Sequence, residues 1–285
     1  MIHALWKESL MCGLVGMTAE RDDVVPEVLA RLASVEYRGY DSFGLAFLAN
    51  GAIGMSKAVG SVSQALHERR LSRLQGSTCA LAHTRWATHG RVTVSNAHPH
   101  LSFDGAVAVA HNGVIENHAG LRRKFESDVV RFTSETDSEV VAHIIATYLA
   151  AGVPLLTAIC LTAGLLEGEF ALGIISTADP SALYGVRQKS PLVLCEDGGR
   201  AAIASDQSAL SGIARGRAVF LEDGDLVRLR ANSIEVFTAG GGGVPLPVAR
   251  AHLPCSDVGF TVSKSGHRHF MLKEIHETPQ GGQTK

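Results

Sequence analysis

A cysteine follows a methionine in the run Met11-Cys12-Gly13-Leu14-Val15-Gly16. Once such a cysteine is the first residue of a chain, one residue carries both a thiol nucleophile and a free α-amine. Free amines at chain starts titrate near ~7.7–8.0 and free thiols near ~8.5, so nucleophile and base sit together at neutral pH. The competing reading is a small apolar residue opening a buried strand, because free cysteine is usually buried and inert. Three more segments bear on the choice. They are Tyr37-Arg38-Gly39-Tyr40-Asp41-Ser42; His83-Thr84-Arg85-Trp86-Ala87-Thr88-His89-Gly90 with Asn96-Ala97-His98-Pro99-His100; and His111-Asn112-Gly113-Val114-Ile115-Glu116-Asn117 with Ser134-Glu135-Thr136-Asp137.

With Met11-Cys12-Gly13, these segments closely resemble the glutaminase domain of the glutamine–fructose-6-phosphate aminotransferase (glucosamine-6-phosphate synthase) family. That domain is a class II, N-terminal-nucleophile glutamine amidotransferase. The resemblance runs from Cys12 to about Phe237 and touches the family's linker again at Lys273-Glu274-Ile275. Several motifs in the right order make it far more specific than one short pattern. It implies an α+β fold, a four-layer αββα sandwich of the N-terminal-nucleophile hydrolase type. It also implies hydrolysis of glutamine to glutamate and ammonia through a thioester on Cys12, with no cofactor.

Amide hydrolysis by a thiol needs a nucleophile, a base, an oxyanion hole and a means of placing the amide. The resemblance assigns the oxyanion hole to the Asn112 side-chain amide and the Gly113 backbone N–H. The chemistry agrees, since Asn offers an N–H donor and Gly lets backbone approach a ligand closely. Taken alone, Asn-Gly is a strong hairpin-turn signal. The resemblance places Arg85 on the glutamine α-carboxylate, where a guanidinium fork fits. It places Asp137 on the α-ammonium, and Trp86, Thr88 and His89 line the same segment. Outside the resemblance, Arg85 reads as a surface salt bridge and Asp137 as a first-turn acid favoured by the helix dipole. Arg38 and Asp41 are expected to be structural, as a buried ion pair or loop brace.

Histidines 83, 89, 98, 100, 111 and 118 crowd one stretch. Their spacing fits no zinc motif such as HExxH and no cysteine pair supports one, so no metal is expected. A papain-like Cys12–His pair is the other alternative, and it would leave the amine idle.

Of 285 residues, 46% are hydrophobic and 19% charged, a globular profile with a net charge of −2. That charge leaves no footprint for nucleic acid or an anionic membrane. Cysteines 12, 79, 160, 195 and 255 are scattered, odd in number and without CxxC spacing. This argues for a reducing, cytoplasmic setting rather than a disulfide frame. Residues 1–11 do not read as a secretory signal, because Lys7 and Glu8 interrupt the apolar region and bulky Met11 precedes the cysteine. They are either a propeptide or an upstream extension of a start at Met11, and both place Cys12 at the terminus. No later segment reaches the ~18 apolar residues of a membrane span.

The elements that must position these residues alternate in blocks. Gly13 to Met17, Gly44 to Ala49, Cys79 to His83 and Ala106 to His111 read as buried strands. So do Phe170 to Ser176, Leu183 to Arg187, Ala201 to Ala204 and Leu226 to Leu229. Val24, Val28, Leu29, Leu32 and Val35 recur at helical spacing behind Asp22 and Asp23 as caps. Thr136-Asp137-Ser138-Glu139 has the pattern of a capping box, continued by Val140, Val141, Ile144, Ile145 and Tyr148 on one face. A further helix is expected to start at Pro154.

Gly240-Gly241-Gly242-Gly243-Val244-Pro245-Leu246-Pro247 reads as a linker, because glycine loosens a chain and proline blocks sheet pairing. The expected division is residues 1–11, an amidotransferase domain over 12–239, and 240–285 as linker and entry to a sugar-isomerase part. The phosphate-binding loops of that part have no counterpart here. The chain therefore reads as the glutaminase half, working with a separate sugar-isomerase subunit that accepts ammonia, or as a fragment of the full synthase. The alternative is a catalytically silent copy serving as a regulatory or interaction module.

Overall fold

The computed structural model describes residues 12–86, 90–127, 129–211 and 216–254. Among them are strands β1 Gly13–Ala19, β2 Ser42–Ala49, β3 Ala52–Val59, β4 Cys79–Arg85, β5 His100–Leu101, β6 Val107–Ile115, β7 Gly168–Ser176 and β8 Leu183–Gln188. β9 Val193–Glu196, β10 Arg200–Ala204, β11 Arg217–Phe220, β12 Asp225–Arg230, β13 Ser233–Ala239, β14 Pro245–Pro247 and β15 His252–Pro254 follow. The α-helices are α1 Val25–Ser34, α2 Val62–His67, α3 His118–Phe125, α4 Glu139–Ala150 and α5 Leu155–Leu165.

The strands form two antiparallel sheets, ordered β15-β11-β9-β10-β1-β4-β2-β3 and β14-β13-β12-β8-β7-β6-β5. Side-chain alternation along β1 explains the layering. Val15, Met17 and Ala19 point to the layer of α1 and α2, while Leu14 points to the second sheet. Gly16 lies on that inner face, where a Cβ would meet Leu183 Cδ2 at 2.8 Å, so the sheets approach closely there. A third cluster joins the outer face of the second sheet to α3, α4 and α5. The fold is the four-layer αββα sandwich, α+β in class. All eight strands read as short apolar runs are present. The helix through Val28, Leu29 and Leu32 is α1, with those residues buried.

Several local expectations are corrected. Asn112 and Gly113 lie inside β6, paired with Ala171 and Phe170, so the turn that Asn-Gly signals when taken alone is not formed. The capping box does not form, for α4 begins after Ser138 without a side-chain cap. The Glu139 carboxylate instead accepts from the N–H and hydroxyl of both Thr133 and Ser134, at 2.7–2.8 Å. Burial would raise its pKa, but His143 and then those donors hold it below the usual carboxylate range. Pro154 is the residue before α5 rather than its first turn. Asp23 serves the start of α1 by accepting from Val25 N–H at 3.1 Å, whereas Asp22 pairs with Arg200.

Sheet pairing also continues past residue 239. β14 pairs with β13 at the edge of one sheet and β15 with β11 at the edge of the other. Proline is tolerated at an edge, where a missing N–H has no partner strand to disappoint. Residues 1–11 and 255–285, including Lys273-Glu274-Ile275, lie outside the described residues. No helix among the described residues is long and apolar enough to cross a membrane.

Candidate active site

The start of β1 is held by polar contacts from three distant segments. Gly13 N–H donates to Thr84 Oγ1 at 3.1 Å, and Leu14 N–H to Ser205 Oγ at 3.0 Å. The Cys12 carbonyl accepts from Asn112 Nδ2 at 2.8 Å and from Ser205 Oγ at 3.4 Å. Adjacent antiparallel pairing of β1 with β4 carries Trp86 to the thiol. The Trp86 N–H donates to Cys12 Sγ at 3.2 Å. The cysteine that could become a chain start is thereby fixed at the mouth of the sandwich.

Cys12, Arg85, Trp86, Gly113, Thr136 and Asp137 line one pocket, with His98 and His111 in its wall. Arg85, at the end of β4, is buried and donates from Nη1 to the Arg91 carbonyl at 3.2 Å. Asp137 precedes α4. Its Oδ2 accepts from Ile115 N–H at 2.8 Å and its Oδ1 from Ser138 Oγ at 2.9 Å. Burial would raise the Asp137 pKa, but nearby His111, the Ile115 N–H and the Ser138 hydroxyl outweigh it, so the carboxylate stays charged. Each carboxylate oxygen keeps a second acceptor site for a ligand cation.

Gly113 has φ +117°, and a Cβ there would meet the Glu169 carbonyl oxygen at 1.9 Å, so only glycine fits. Trp86 packs edge-on against Tyr40 at 5.4 Å. Thr88 and His89 lie outside the described residues. Arg38 is braced structurally as expected, but its carboxylate partner is Asp206, which also accepts from Tyr37 Oη at 2.9 Å.

Burial pushes the Cys12 thiol above its ordinary pKa, against the pull of the Trp86 N–H, Arg85 and Arg38. A thiol so placed is mostly protonated at neutral pH and needs a base. The four inner histidines are poorly suited to that role. His83, His98, His100 and His111 are at most 5% exposed and packed together, with ring centroids 4.4 Å apart for His83–His98 and 4.6 Å for His98–His100. Burial lowers all four pKa values, that of His83 to about 3. No group of three metal-ligating side chains occurs among the described residues. Thr84, Ser138, Ser205 and the inner histidines were not assigned roles from sequence. Ser205 carried no signal, being 193 residues from Cys12.

A partly buried thiol just before the first strand of the αββα sandwich thus faces a pocket lined by Arg85, Gly113 and Asp137. The glutamine amidotransferase domain family matches residues 83–212. Glutamine–fructose-6-phosphate aminotransferase (isomerizing) of Aeropyrum pernix is 40% identical over 277 residues, 95% of this chain and 45% of that protein. The Acinetobacter baylyi enzyme of the same name is 44% identical over 271 residues, 95% of this chain and 42% of that protein. The chain thus spans less than half the length of these curated relatives. Among solved structures, the glutamine phosphoribosylpyrophosphate amidotransferase of B. subtilis superposes with TM-score 0.68 at 21% identity, covering 81% of this chain and 50% of that one. That likeness concerns the fold.

Proposed function

We propose that this chain hydrolyses glutamine through Cys12 and supplies the ammonia for amino-sugar synthesis on fructose 6-phosphate. The observation that carries the reading is the convergence of Cys12, Arg85, Gly113 and Asp137 on one pocket, with Asn112 bonded to Cys12 itself. The Met11–Cys12 bond is cut in the active form, which frees the α-amine. Sγ attacks the glutamine amide carbon while the thiol proton passes to that amine. The carbonyl oxygen becomes an oxyanion held by Asn112 Nδ2–H and Gly113 N–H. Its collapse breaks the C–N bond, and the amine's proton leaves with ammonia. Water then adds to the thioester, giving the same amine a proton, and C–S cleavage releases glutamate and the thiol.

Arg85 and Asp137 clamp the α-carboxylate and α-ammonium, with Trp86 beside them in the same pocket. The sugar-phosphate half of the reaction belongs to a separate isomerase subunit or to further sequence of the same protein. Four free cysteines among the described residues fit a reducing, cytoplasmic setting.

With both ends of the amino acid clamped, side-chain length sets where the amide falls. Asparagine is one methylene shorter, and a displacement of ~1 Å costs about 100-fold. Purified chain is expected to turn over glutamine with kcat/KM at least ~100-fold above asparagine, and Arg85→Ala to act mainly by raising KM. Adding fructose 6-phosphate without a second polypeptide should yield no glucosamine 6-phosphate. Comparable kcat/KM for the two amides would refute the clamp.

A further inference from the structure

Asn112 can face the nucleophile in two ways that differ by exchanging its amide oxygen and nitrogen. Only one is an oxyanion donor, since the other turns a carbonyl oxygen toward developing negative charge. The neighbours of the amide decide between them. On one side, 2.8 Å from the amide nitrogen, is the Cys12 carbonyl, which can only accept. On the other, 2.8 Å from Oδ1, is His83 Nε2. An exchanged amide would set two acceptor oxygens against each other at Cys12. The amide nitrogen therefore faces Cys12, Oδ1 faces His83, and His83 must carry its proton on Nε2.

We propose that His83 is a positioning residue for the reaction: its Nε2–H holds the Asn112 amide with its NH2 group toward the nucleophile. This rests on the glutaminase reading above. One Asn112 N–H goes to the Cys12 carbonyl, and the second has no protein acceptor among the described residues, leaving it for the substrate oxygen. His83 Nδ1 is buried with no partner in hydrogen-bond range, so no acceptor there competes with Asn112 Oδ1 for the ring proton. The position suits the task. His83 is fully buried in β4, opposite Leu14 and Gly44, so the ring cannot swing away. Burial, the main influence, keeps it neutral through the working pH range, so the donor is permanent.

The test compares His83→Leu and His83→Gln with the unaltered chain. Leu removes the donor, while the Gln amide nitrogen reaches the place of Nε2. His83→Leu is expected to lower kcat for glutamine about 10–100-fold, part of the ~100–1000-fold cost of losing an oxyanion donor. KM should stay within about twofold, since ground-state binding is untouched. Alkylation of Cys12 by iodoacetamide, which uses no oxyanion hole, should keep its rate, and His83→Gln should recover most of kcat. A His83→Leu kcat equal to that of the unaltered chain, a loss carried by KM, or a folded His83→Gln as impaired as Leu would overturn the proposal. A long-range 1H–15N spectrum of the unaltered chain reads the same point without turnover and without a variant that must fold. It should show His83 protonated on Nε2, and a ring protonated on Nδ1 would overturn the proposal. Should the unaltered chain fail to hydrolyse glutamine, the glutaminase reading falls while this spectrum still decides the Asn112 geometry.

Discussion

Cys12→Ala is expected to abolish glutamine hydrolysis and leave the fold in place. Removing a nucleophile that acts as a unit with its base typically costs on the order of 10⁶ in kcat. Among the described residues no other thiol stands in for it: Cys79, Cys160 and Cys195 are buried, and Cys79 is pushed up to about 12 by its burial. The structural loss is small, because Sγ bonds only the Trp86 backbone among the described residues, accepting its N–H at 3.2 Å and donating weakly to its carbonyl at 3.8 Å, while the contacts that fix β1 come from the Cys12 carbonyl and the Gly13 and Leu14 amides. Stability should therefore change by no more than about 1 kcal/mol, the usual size of one neutral hydrogen bond. Urea denaturation and a glutamate-release assay on the same preparation check both halves. Residual turnover above about 1% would move the chemistry away from this thiol.

A steep acid sensitivity is the second large effect. His83, His98, His100 and His111 each have a folded pKa below the unfolded value, chiefly through burial. The folded state excludes protons that the unfolded chain binds below about pH 6.5. Stability is thus fully present above pH 6.5 and is lost as pH falls below it. Each imidazole adds up to about 1.4 kcal/mol per pH unit, so four approach ~5 kcal/mol per unit, against a total of about 5–15 kcal/mol for a typical domain. Asp137, Glu139 and Asp206 are held below their ordinary carboxylate values, so their contribution persists to lower pH and does not cause the effect. Urea midpoints should hold between pH 8 and 7, then fall sharply between pH 6 and 5. A midpoint unchanged down to pH 5 would mean that the histidines take up protons inside the fold.

The strands that carry the site were legible because they are short, apolar and buried on both faces, as β1, β4 and β7 show. β3 was not, since it is an edge strand whose residues are half-exposed and mix Gly, Ser and Lys with apolar positions. β14 was hidden by its prolines, which argue against pairing everywhere except at an edge. The capping box at Thr136-Asp137-Ser138-Glu139 misled because tertiary donors from Thr133 and Ser134 claimed Glu139. In the site, Cys12, Arg85, Gly113 and Asp137 line one pocket. Their supports do not follow from spacing: Asp206 reaches Arg38 and Ser205 reaches Cys12 only through the pairing of β10 with β1.

The proposed chemistry stands on one thiol at one chain start. Purified chain treated with a diazoketone analogue of glutamine, digested and read by peptide mass spectrometry tests that directly. A single adduct is predicted, on Cys12, in a peptide whose first residue is Cys12, and excess glutamine should suppress it. Label spread over Cys79, Cys160, Cys195 and Cys255, or found on a Cys12 still joined to Met11, would contradict it.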